Sequence, residues 1–265
     1  MYPTKYHKPG SVPDAVALLA GSEGAKILSG GQTLLPTMKQ HLAAPGDLVD
    51  VRGIAELNGI SAGDGSVTIG AATRHMDVAT SADVKAHIPA LAALASGIGD
   101  PAVRAMGTLG GSVANNDPAA DYPAAVLGLG ATVVTSKREI AADDFFQGMF
   151  TTALEEDEIV TAIRFPVPTR AGYSKFRNPA SLYAMAGVFV AETDGAVRVA
   201  VTGAGEDGVF RHDGMEAALS SDFSAGALNG VSISEDGMLS DIHGTAAYRA
   251  NLVKVMAKRA VANAG

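Results

Sequence analysis

The chain has 265 residues, 47% hydrophobic and 18% charged, with a formal net charge of −8. This is a folded-globular balance, with length for one large domain or two of ordinary size. The acidic balance, with no block of Lys or Arg, argues against nucleic acid as a partner. The absence of cysteine excludes disulfides, thiolate nucleophiles and thiolate-ligated clusters in this chain.

No apolar run approaches the roughly 20 residues of a membrane span. The polar start MYPTKYHKPG lacks the apolar stretch of a signal peptide, so the cytoplasm is the expected compartment. Residues 11–20 predict a helix capped by Ser11, with Pro13 in its first turn. Lys26 to Leu28 predict a short buried strand, Gly30-Gly31 a tight turn, and Leu34 to Gln40 a short helix. Strands follow at 47–51 and 66–71. Thr73 is placed to cap a helix through Val78, and 88–96 reads as a buried helix.

A second Gly-Gly segment begins at Met106. LGGSVAN predicts a turn followed by a strand, and DYPAAVLGL a helix opened by Asp121 with Pro123 in its first turn. Strands return at 131–135 and 158–168. The Pro-rich 165–172 is the candidate domain boundary. Beyond it YSKFR, YAMAGVFVAE and GAVRVAVTGAG predict an antiparallel meander, and the chain closes on a helix from about Thr245 to Asn263.

Two segments carry candidate chemistry. In Ser29-Gly30-Gly31-Gln32-Thr33, paired glycines let backbone N–H groups approach a ligand without an intervening Cβ, and a helix starts directly afterwards. Thr108-Leu109-Gly110-Gly111-Ser112 repeats that logic, and Asp121 is placed to cap a helix or to accept from a ribose hydroxyl. Either loop alone is equally well an ordinary connection. Together they suit the two phosphates and two sugars of a dinucleotide. Arg177 and Tyr183 are weaker candidates, for an anionic phosphate and for a planar ring.

Gly203-Ala204-Gly205-Glu206-Asp207-Gly208 fits G-x-G-x-x-G, but two carboxylates would face a pyrophosphate and no helix follows at once, so it reads as a turn. The six histidines show no metal-ligand spacing, and no nucleophile elbow is present.

The segments ILSGGQTLLPTMK, GTLGGSVANNDPAADYPA, KFRNPASLYAMAGV and SDIHGTAAYRANLVKVMAKRA resemble, in order along nearly the whole chain, the medium FAD-binding subunit of aerobic carbon monoxide dehydrogenase and its molybdenum hydroxylase relatives, the xanthine dehydrogenase family. The resemblance implies an α+β chain with a two-lobed FAD-binding domain of the vanillyl-alcohol-oxidase (PCMH) type over 1–168. A smaller α+β domain of the carbon monoxide dehydrogenase flavoprotein type would occupy 172–265. It implies that Ser29 to Thr33 and Thr108 to Ser112 hold the pyrophosphate of FAD, that Asp121 and Arg177 contact it, and that Tyr183 lies beside the isoalloxazine.

Gln32, Ser112 and Arg177 stand where many relatives have His, Asn and Lys, and each keeps hydrogen-bonding ability. With no cysteine, and no histidine at a convincing attachment point, the FAD is expected to be non-covalent. The resemblance implies a large molybdopterin subunit and a small [2Fe–2S] subunit as partners, with a quinone or NAD as external acceptor. The cysteine count agrees, because such clusters need thiolates this chain does not offer. A self-contained flavin oxidoreductase and a non-catalytic nucleotide-binding module are the competing readings.

Overall fold

The computed structural model describes residues 1–265. The first lobe is a parallel three-stranded sheet in which Asp47–Asp50 runs between Lys5–His7 and Lys26–Leu28. Two short helices, Val12–Ala20 and Leu34–Lys39, complete it. Ser11 caps the first as expected, its side chain accepting from the Asp14 N–H. Ala15, Val49, Val51, Ile54 and Leu57 form a small core, which Ala72 and Ile159 join from the second lobe. At the strand end Asp50 accepts from the Tyr6 hydroxyl and from Arg52. Burial alone would push this carboxyl up, but Arg52 and Tyr6 outweigh it and hold it at about 2.

The second lobe is a five-stranded antiparallel sheet in the order Ile60–Gly63, Ser66–Gly70, Val160–Pro166, Thr132–Thr135, Glu139–Ala141. Its middle strand is supplied by the end of the domain, so the helices and shorter strands between Gly70 and Val160 must be in place before the sheet closes. Val67, Ile69, Val133, Ile163 and Phe165 point from the sheet into a core shared with the buried helices Pro89–Ser96 and Tyr122–Gly128. The expected cap at Thr73 is corrected. Its hydroxyl is engaged by the N–H and C=O of Gly59, and the helix begins later, at His75–Thr80.

From Arg170 the chain builds the predicted meander, Arg170–Arg177, Ala184–Thr193, Ala196–Thr202, and closes it with the short strand Phe210–Arg211. Ala184–Thr193 reads as one apolar run because both its faces are covered. Phe189 and Ala191 pack into the core of the second lobe, while Val188 and Val190 meet the C-terminal helix Ala246–Ala262 on the other side. That helix is capped by Thr245 and ends at Asn263, as read. The rejected G-x-G-x-x-G is a turn: it leaves an antiparallel strand and leads to Phe210–Arg211.

Sequence patterning missed Arg249. Its guanidinium, 3% exposed, bonds the carbonyls of Met185 and Gly203 and the carboxylate of Asp241, tying the last helix to the sheet. No helix is long and apolar enough to cross a membrane.

Candidate functional site

The two Gly-Gly segments meet. Ser29 Oγ and Thr108 Oγ1 lie 2.8 Å apart. A Cβ added to Gly30 would sit 2.5 Å from Gly107 Cα and 2.6 Å from the Met106 carbonyl oxygen, so only glycine lets the two backbones touch here. The next residue, Gly31, takes a φ of +71° and turns the chain into Leu34–Lys39. Between lobes and C-terminal domain runs a cleft of about 660 Å³, a size suited to a cofactor. Leu19, Ile27 and Val51 wall it at the first lobe, and Ser181 and Tyr183 at the C-terminal domain.

Backbone donors separate the roles of the two segments. None of the six successive N–H groups from Ser29 to Leu34 has an acceptor within the chain, and all six residues line the cleft. Such a run of free donors at a glycine turn forms a concavity for an anion. The second segment differs from expectation. It is a helix, Leu109–Asn115, rather than a turn followed by a strand.

Thr108 caps that helix, its hydroxyl accepting from the Gly111 N–H at 3.2 Å. The Leu109 N–H goes to the Thr73 carbonyl and that of Gly110 to the Ala71 carbonyl, at 3.0 and 2.8 Å. Its amides from Leu109 onward are therefore spent in the fold. It contributes shape, since a Cβ on Gly110 would come within 2.5 Å of Ala71, and the hydroxyl of Ser112.

Of the residues singled out by sequence, Ser29, Gly30, Gly31, Gln32, Thr33, Thr108, Gly110, Gly111, Ser112, Asp121 and Tyr183 line the cleft. Leu109 does not: it is fully buried and packs in the core. Arg177 stands exposed at the end of its strand, one guanidinium nitrogen against Gly97, and is absent from the cleft wall.

Asp121 begins Tyr122–Gly128 but makes no cap bond. Its two carboxylate oxygens accept from the Tyr173 hydroxyl and from Lys175 Nζ, the latter at 2.9 Å, with both charged side chains 4% exposed. Burial pushes the Asp121 carboxyl up, opposed by Lys175 and by the Tyr173 hydroxyl. The Tyr173 hydroxyl is itself held well above its ordinary value, first by burial and then by the neighbouring carboxylate.

Sequence reasoning passed over two other wall residues. Phe150 stands at the tip of a hairpin with φ +53° and is 57% exposed. The hairpin is fixed by buried Asn116, whose side-chain amide donates to the carbonyls of Gly148 and Thr151 while its backbone carbonyl takes the Phe150 N–H. His75 is almost fully buried under Gly107. Burial, aided by Arg104, lowers its pKa from 6.5 to about 4, so it is neutral at physiological pH.

Because the unfolded chain takes up that proton first, stability contributed above pH 6.5 is lost as pH falls toward 4. His75→Gln should flatten the thermal-stability profile in that window. An unchanged slope would assign it elsewhere.

Fold and cleft together define a dinucleotide-binding protein. Residues 2–168 match the family described as FAD binding domain in molybdopterin dehydrogenase. The carbon monoxide dehydrogenase medium chain of Hydrogenophaga pseudoflava is 36% identical over 97% of this chain and 95% of its own. The nicotine 6-hydroxylase medium subunit of Paenarthrobacter nicotinovorans is 34% identical over 98% and 97%. Among solved structures, reconstituted CO dehydrogenase from Oligotropha carboxidovorans superposes with a TM-score of 0.89 at 35% identity, covering 99% of this chain and 98% of that one.

The chain belongs to the FAD-binding, medium-subunit family of the molybdenum hydroxylases. Its cleft fits FAD on its own evidence, by the free amides at Ser29–Leu34 and by glycines where a Cβ would fill the cradle.

Proposed function

We propose that this chain holds FAD non-covalently between its lobes and serves as the exit of a larger oxidoreductase. Electrons would arrive from [2Fe–2S] clusters in a small partner subunit, a large molybdopterin subunit would oxidise the substrate, and the flavin would pass the electrons to an external acceptor. The observation that carries this reading is the row of unpaired amides at Ser29–Leu34 beside the contact of Gly30 with Gly107. The pyrophosphate would lie on those amides, with Ser112 and the Ser29–Thr108 hydroxyl pair beside it. Tyr183, 46% exposed and on the cleft wall, would cover the flavin ring. FAD, when bound, would collect single electrons from the clusters and hold two for the acceptor. The protein supplies binding, orientation and exclusion of water.

Four of the five carboxylates in the cleft wall are held within the fold, which favours a subunit over a self-contained enzyme. Asp100 caps Val103, Asp117 accepts from Ala119, Asp121 is held by Tyr173 and Lys175, and Glu158 is held by Arg138 and Thr135. The fifth, Glu156, is exposed at the cleft wall and has no partner in the chain. The one histidine in the wall, His75, is buried, which also supports a flavin without a covalent tether.

The test is co-expression with the neighbouring subunits, followed by flavin, iron and molybdenum analysis of the purified complex. One FAD per copy of this chain, with iron and molybdenum in the partners, is the expected result. A stable complex with no flavin, or substrate turnover by this chain alone, would sink the proposal.

A further inference from the structure

Four acidic residues follow one another at Glu155-Glu156-Asp157-Glu158. Three of them are held by the neighbouring turn that joins Thr132–Thr135 to Glu139–Ala141. Lys137 Nζ takes the carboxylate of Glu155 at 2.7 Å and that of Asp157. Buried Glu158 accepts from Arg138 at 3.1 Å and from the Thr135 hydroxyl at 2.6 Å, and its other oxygen takes the Glu155 N–H at 3.0 Å. The segment is thereby fixed. Glu156 alone is left without a partner, exposed in the wall of the cofactor cleft. A free carboxylate in a cleft that receives an anion is a penalty unless the ligand brings it a donor.

The packing shows which end of the cleft it occupies. Ile159, three residues on, shares a core with Val51 of the first lobe, and Leu19 and Ile27 pack against that core. All four also line the cleft. Glu156 therefore belongs to the first-lobe end, where the wall is apolar, while Ser181 and Tyr183 mark the C-terminal domain.

We propose that Glu156 selects the adenine base of FAD, its carboxylate accepting from the exocyclic amino group. This rests on the reading of the cleft as an FAD site. With the pyrophosphate on the amides of Ser29–Leu34 and the flavin ring at Tyr183, adenosine is the part left for the first-lobe end. Its flat base suits the walls of Leu19, Ile27, Val51 and Ile159. The amino group is the donor on that base, and a carboxylate pairs with an exocyclic amino group of a nucleobase in just this way. A carbonyl oxygen at the same ring position would instead face the negative charge. An ion pair with Lys26, the one ammonium or guanidinium in the wall, is the rival use of this carboxylate, and it would leave the choice of base unaffected.

The experiment strips FAD from the assembled complex and titrates it with FAD and, separately, with the hypoxanthine analogue, in which that amino group is replaced by a carbonyl oxygen. Both carry the same flavin, so one fluorescence signal follows both. The wild type should prefer FAD by about tenfold or more, because hydrogen bonds to a charged acceptor are the strong ones. Glu156→Ala should cut that preference to about twofold or less by weakening FAD alone. Glu156→Gln, whose amide can present either a donor or an acceptor, should bind the two alike. Glu155→Ala, which removes an exposed partner of Lys137, should keep the wild-type preference. The proposal is overturned if the wild type binds both dinucleotides equally, if Glu156→Ala keeps the full preference, or if it weakens both equally, as a contact to the ribose would. A stripped complex that takes up neither dinucleotide defeats the FAD reading itself, and is distinguishable from uptake of both without preference.

Discussion

Gly30→Ala is expected to deprive the complex of FAD, leaving less than a tenth of the wild-type content. The added methyl would come within 2.5 Å of Gly107 Cα, 2.6 Å of the Met106 oxygen and 3.0 Å of the Thr108 nitrogen, all of them backbone. No side-chain rotation relieves such a clash, so the segments must separate. Overpacking of this kind costs about 1–3 kcal/mol. Here the separation also moves the row of amides relative to Thr108 and Ser112, so binding falls further than stability.

Neighbouring glycines grade the effect. A Cβ on Gly31 would press only on the flexible ends of Leu35 and Leu28, at 3.0 and 3.1 Å. Its cost comes chiefly from φ +71°, about 1–2 kcal/mol. Gly10→Ala meets nothing within 4 Å and should keep full FAD content. Flavin content by absorbance, with thermal unfolding of the same samples, checks the order Gly30, Gly31, Gly10. Full FAD content in Gly30→Ala would mean that the contact between segments does not shape the site.

Much of this site was legible in sequence because it depends on residues with few alternatives. Paired glycines beside short hydroxyl side chains imply close backbone approach, and the structure brings the two pairs together. The meander and the last helix were legible from period and caps. LGGSVAN was misread because two glycines weaken a helix prediction, while the reason for the helix is tertiary. Thr108 caps it and the Ala71 and Thr73 carbonyls receive its first amides, and neither partner is near in sequence.

For the same reason sequence did not show that the free donors lie almost wholly in the first segment, the second keeping only the Thr108 N–H. Asp121 looked like a helix cap, and its position permits one. Its carboxylate instead reaches across to Tyr173 and Lys175, more than fifty residues on. Phe150 and Arg249 gave no local signal. One is exposed by a turn that Asn116 fixes from a distance, and the other is an ordinary-looking helical arginine buried against the ends of the two middle strands of the C-terminal sheet.

That buried contact between domains carries the second large effect. Asp121→Asn would leave the Lys175 ammonium, 4% exposed, without its counter-charge, where removal of one partner of a buried pair costs about 3–5 kcal/mol. At roughly 2–4 °C per kcal/mol for a chain of this size, the midpoint should drop by about 10 °C. Lys175→Met should behave differently, because burial already raises the Asp121 carboxyl and without the ammonium it can take up a proton.

A carboxyl raised in the folded state destabilises as pH climbs through its folded value and is harmless below its unfolded value near 3.8. The deficit of Lys175→Met should therefore shrink as pH falls from 7 toward 4, while that of Asp121→Asn does not. The double variant should recover part of the loss, since no unpaired charge remains. Thermal unfolding of the three variants across that range measures all of this. If both single variants lose stability equally at every pH, the buried pair is not what holds Tyr122–Gly128 to the C-terminal sheet.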